Sequence, residues 1–97
     1  AASDVYKRQI QEIRKVQLET ETFVKNEMAD IYSRELIEPL FEQPYCKISF
    51  LVDRHIAKKQ TASKYLNRLV AAGLLDKTKQ GREYYFINKN LWEILTR

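Results

Sequence analysis

The sequence predicts a mainly α-helical fold carrying a small β-wing, with one long helix in front of it. Apolar residues recur at helical spacing over most of the chain, and 2 Gly and 2 Pro in 97 residues leave little room for long loops. Near the C-terminus two extended runs flank a Gly-containing turn, the pattern of a hairpin.

From Tyr6 to Ile31 the pattern is helical, with Tyr6, Ile10, Ile13, Thr20, Phe23, Val24, Met28 and Ile31 close to one stripe and charged residues on the other faces. Such a stripe is too long to be covered by a domain as small as the remaining residues can build, so its apolar side is expected to pack on an upstream domain or on a second copy of the chain. The chain is therefore divided into 1–31, a leading helix that links to an upstream domain, and 32–97, a compact domain. Residues 1–9 are read as non-native: the string DVYKRQ, Asp4 to Gln9, is what an in-frame translation of a transposon end would give, and it carries no functional weight.

Ser33 is a good N-cap for a helix over Arg34 to Glu42 whose core stripe is Leu36, Ile37, Leu40 and Phe41, with Pro39 expected either to kink it or to tighten its start and Gln43-Pro44 the stop. Tyr45 to Ile48 reads as a short added strand, and Ser49 as the cap of a short helix from Phe50 to Arg54. After a turn at His55-Ile56, the run AKKQTASKYLNRLVAAG, Ala57 to Gly73, forms one amphipathic helix. Ala62, Leu66 and Leu69 must be buried, with Tyr65 and Val70 at the edges. Gly73 ends it in the left-handed conformation. The opposite face is centred on Gln60, Lys64 and Asn67 and flanked by Thr61, Ser63 and Arg68, with no apolar side chain and no carboxylate among them.

Leu75 to Lys79 and Arg82 to Ile87 then pair around Gln80-Gly81, bringing Lys77, Lys79 and Arg82 to the tip. Alternation puts Tyr84 and Phe86 on one face, expected to be core, and leaves Tyr85 for the surface. Asn88 caps a last helix carrying Leu91, Trp92, Ile94 and Leu95. Two helices joined by a short turn, the second polar outside, with a hairpin after them, make a winged helix-turn-helix.

The formal charge of +4 is unevenly spread. Between Asp53 and Glu83 eight basic residues face three acidic ones, a local balance of +5, so the rest of the chain carries −1. Positive charge gathered on the amide- and hydroxyl-bearing helix is the footprint of a polyanion partner, here double-stranded DNA. Gln60, Lys64 and Asn67 would enter the major groove, Lys59, Thr61 and Ser63 would hold phosphates, Lys79 and Arg82 would extend from the wing, and Lys58 and Arg68 complete the DNA-binding set. The alternative is a protein-interaction or dimerisation module using Trp92 and the leading helix.

Other classes have little support. No apolar run approaches the roughly 20 residues that span a bilayer, so the chain is expected in the cytoplasm and off the membrane. One Cys and one His exclude an internal disulfide and zinc-finger spacing, and neither metal nor cofactor is expected. Cys46 and His55 have no third group to orient a base, so the chain itself is not read as an enzyme.

The segment from Tyr32 to Leu95 resembles the C-terminal winged-helix domain of bacterial Fic (filamentation induced by cAMP) proteins, most specifically at FEQPY (Phe41 to Tyr45), QTASKYL (Gln60 to Leu66) and GRE with aromatics after it (Gly81 to Phe86). The resemblance implies a protein AMP-transferase whose catalytic domain lies upstream and leads into this domain through a long helix. The family's catalytic signature, HxFxxGNGRxxR, does not occur here. One departure is Ala57 at the expected N-cap of the recognition helix, where related domains often carry Ser and where Gln60 would stand at N3.

Overall fold

The computed structural model describes residues 2–96, with side chains from Lys7 onward. Among the described residues the helices and strands follow the order α1 (Ala2–Glu27), α2 (Arg34–Glu42), β1 (Tyr45–Cys46), α3 (Ile48–Asp53), α4 (Lys59–Ala71), β2 (Asp76–Gln80), β3 (Glu83–Ile87) and α5 (Lys89–Thr96). The strands form one antiparallel sheet in the order β1-β3-β2. The domain is thus mainly helical with a small β-wing, as the sequence predicts.

The long stripe on α1 is divided. Thr20, Val24, Met28 and Ile31 are buried, and the last three share the main core with α2, α3, α4 and β3, so the core reaches back across the division placed at residue 31. Phe23 is exposed instead, because one residue is a 100° turn away from Val24. Ile10 is 49% exposed. Nearby, Gln9 Nε2 donates to the carbonyl of Ile94 at 3.3 Å, tying α1 to α5. Tyr6 lies outside the residues whose side chains are described. The helix stops at Glu27, earlier than expected, and the chain turns through Ile31 N–H and Tyr32 N–H, both donating to Met28 O.

Ser33 caps α2 as the sequence predicts, its Oγ accepting from Leu36 N at 3.1 Å. Pro39 stands inside this helix and is buried, so its ring supplies apolar contact where a hydrogen-bonding N–H is missing. The start of α3 differs from expectation. The pairing of Cys46 with Phe86 holds the chain extended through Lys47, and the helix begins at once, with Lys47 as N-cap and Ser49 already inside.

Helices α3 and α4 end in the same way. Ile56 N bonds to Leu51 O and His55 N to Val52 O, and in α4 Leu74 N bonds to Leu69 O and Gly73 N to Val70 O, the paired bonds of a Schellman ending. That ending needs one left-handed residue. Gly73 supplies it at φ 84, and His55 supplies it at φ 58 against the side-chain penalty of roughly 1–2 kcal/mol. The hairpin turn is Gly81-Arg82, one residue later than expected, because Gln80 still pairs with Glu83. Gly81 at φ 65 takes the first central position, where a II′ turn calls for glycine.

Asn88 joins two layers of the fold. Its Oδ1 accepts from Leu91 N at 3.2 Å and caps α5, while its Nδ2 donates to the carbonyl of Leu40 at 2.9 Å. Cys46 is buried and burial pushes its thiol up to about 11, whereas His55 is exposed in its turn. Among the described residues no helix is long and apolar enough to cross a membrane.

Candidate nucleic-acid interface

Helix α4 buries Ala62, Leu66 and Leu69 completely. That fixes where its remaining side chains point, in three lanes. Its N-cap is Lys58 rather than Ala57, with no side-chain cap, which places Gln60 at N2 rather than N3. The first turn holds no carboxylate, so the positive end of the helix stands open beside Lys58 and Lys59.

The middle lane, Gln60 and Lys64, is exposed. The lane toward the wing carries Lys59, Ser63 and Asn67. Asn67 is fully engaged: Nδ2 donates to Ser63 O at 2.8 Å, and Oδ1 accepts from Lys77 Nζ at 2.8 Å. The lane toward α1 carries Thr61, exposed, and Arg68, whose guanidinium grips the carboxylate of Asp30 at two points, Nη2 to Oδ1 at 3.2 Å being one. This bond holds the Asp30 carboxyl below its ordinary range and raises Arg68. Of the residues picked from sequence, Lys58, Lys59, Gln60, Thr61, Lys64, Lys79 and Arg82 are exposed, and Ser63 is half-buried. Asn67 and Arg68 are tied up within the molecule, one to the wing and one to the turn before α2.

The register of the hairpin pairs Lys77 with Phe86 and Lys79 with Tyr84, so these four side chains share the face turned toward α4. Of these four, Phe86 is core. Tyr84 is 40% exposed, which corrects its expected burial. Its ring lies under Lys77 Nζ at 4.3 Å and Lys79 Nζ at 5.6 Å from the centroid. Tyr85, expected at the surface, is half-buried on the other face, 5.8 Å from the Tyr45 ring and under Lys47 Nζ at 4.8 Å. Lys47 in turn pairs with Glu83 at 3.0 Å. The physical reason for the exchange is that β3 runs past the end of the core, so a side chain on the inner face is covered at Phe86 and uncovered at Tyr84.

A cleft of about 540 Å³ fills the gap, between the wing, α3 and the first turns of α4. Ile48, Val52 and Phe86 give it apolar walls, and Lys59, Ser63 and Arg82 lie along it. The sequence pattern places Lys77 at the hairpin tip. It sits further in, as the bridge between wing and α4, and the cross-strand spacing of Lys77, Lys79 and Tyr84 is the signal that points to it.

Among the described residues no cluster of His, Cys, Asp and Glu could hold a metal ion. The sequence from residue 16 to residue 91 matches the family described as Protein adenylyltransferase SoFic-like, C-terminal domain. The match starts within α1, runs through the cationic face of α4 and the wing, and ends in α5. The chain belongs to this family of SoFic-like C-terminal domains.

Proposed function

We propose that the domain is a winged helix-turn-helix that binds double-stranded DNA through α4 and the wing, and that it serves a regulatory role in a Fic-type protein adenylyltransferase whose catalytic domain is joined to it through α1. The observation that carries this reading is the set Lys58, Lys59, Lys64, Lys79 and Arg82: all are exposed, and none stands in an ion pair among the described residues. Unlike Arg54, which is matched by Glu42, none of these has a carboxylate partner among the described residues, and Lys79 lies against the Tyr84 ring instead. Gln60 and Lys64 are the side chains free to reach base edges, with Lys58, Lys59, Thr61 and Ser63 on phosphates and Lys79 and Arg82 tracking the backbone from the wing. Asn67 and Arg68 serve to position α4 rather than to touch DNA. The setting is cytoplasmic.

A second reading has its own support. Trp92 is 52% exposed on α5 and Leu95 is exposed beside it, with Ile10 uncovered on α1, an apolar surface suited to the catalytic domain or to a second copy of the chain.

Fluorescence anisotropy on a labelled duplex of about 20 base pairs, repeated across salt concentrations, tests the DNA reading. Affinity should fall linearly on a log–log plot, and Lys58→Ala with Lys79→Ala should reduce the slope by about 1.8, the release of ~0.9 counterions per lost phosphate contact. A slope unchanged by the double substitution contradicts the proposal.

A further inference from the structure

We propose that the cleft between the wing, α3 and α4 is a binding site for a small aromatic anion, a carboxylate or phosphate attached to a planar ring. Its volume of about 540 Å³ lies within the range of small-molecule pockets, roughly 300–1,000 Å³. Its lining has the composition such pockets show, apolar walls from Ile48, Val52 and Phe86 with a few polar groups converging on them.

Two features select the ligand's chemistry. The first is charge. Lys59, Lys77 and Arg82 line the cleft, and its one carboxylate, Glu83, is already paired with Lys47. Lys59 and Arg82 are in no ion pair among the described residues, so an anion is the complement the cleft lacks. The second is Tyr84. It lies on the inner face of the hairpin yet remains 40% exposed, because it borders the cleft instead of packing into the core. A flat ring entering the cleft would cover Tyr84 and the adjoining apolar wall while its anionic group reached Lys59 and Arg82. On the DNA reading, ligand and duplex would compete for these two cations, but the site itself goes beyond that reading and does not depend on it.

The test is a titration of the 97-residue chain monitored by amide chemical shifts, with 2-naphthoate and 1-naphthyl phosphate as the two anionic probes and 2-naphthol and inorganic phosphate as controls. Saturable shifts should appear at Val52, Ser63 and Tyr84 with Kd below about 1 mM for at least one anionic probe. The probe that binds tells whether a carboxylate or a phosphate is preferred. Lys59→Gln with Arg82→Gln, both at exposed positions that leave the core intact, should weaken binding roughly tenfold or more, as loss of charge-assisted hydrogen bonds does. Tyr84→Ala should weaken it as well. Shifts that do not saturate, or equal affinity for 2-naphthol or for inorganic phosphate alone, overturn the proposal. Duplex binding is measured separately, so either idea can fail without the other.

Discussion

Phe86→Ala lowers the stability of the domain by about 3–5 kcal/mol, the cost of deleting a fully buried aromatic ring and leaving a cavity. Phe86 has 0% exposure and lies on the central strand of the sheet, opposite Cys46 on one side and Lys77 on the other. Its ring joins the core made by α1, α2, α3 and α4, so the cavity opens where the layers meet and the backbone of β3 cannot collapse into it without breaking two ladders. Urea unfolding monitored by circular dichroism should show the midpoint falling with the slope unchanged. A loss under about 1 kcal/mol would mean that the wing is not integral to the core.

Asn88→Ala is expected to cost about 2–4 kcal/mol, summed from a buried carbonyl left unpaired at Leu40 and a lost N-cap at α5. The two contributions separate with Asn88→Ser. Serine can still accept from Leu91 N but does not reach Leu40, so it should recover about 1 kcal/mol and no more. If alanine and serine behave alike in the same unfolding experiment, the cap contributes nothing and the bond to α2 is the whole effect. This one side chain fastens α5 to α2, which gives it weight beyond its size.

Both positions show what the sequence makes legible and what it does not. Asn88 and Ser33 are found as caps because a polar residue before an apolar run has a local reason to be there. Ala62, Leu66 and Leu69 are found because a helix has one period, and Gly73 because its ending needs a left-handed residue. The family is legible for a similar reason: FEQPY, QTASKYL and the aromatics after GRE are contiguous strings, and residues 16–91 match the SoFic-like C-terminal domain.

What escapes a local reading is non-local. Alternation assigns Tyr84 and Phe86 to one face but does not say how far the core extends beneath it. The engagement of Arg68 by Asp30 spans 38 residues, and that of Asn67 by Lys77 crosses from helix to strand. Nothing in either local pattern announces it. The cleft is non-local too: it lies between the wing, α3 and α4, separate elements whose packing no local pattern states. The start of α3 is shifted because strand pairing at Cys46 decides the backbone before the preferred cap at Ser49 can.

On the proposed function, the uncompensated cations of α4 and the wing form one face for duplex DNA. Amide chemical-shift mapping of the chain with a short mixed-sequence duplex at low salt tests this most directly. Perturbations should concentrate at Lys58 to Lys64 and at Gly81-Arg82, and leave Trp92 and Ile10 unmoved. Shifts confined to α1 and α5, or none at α4 when duplex is in excess, would contradict it.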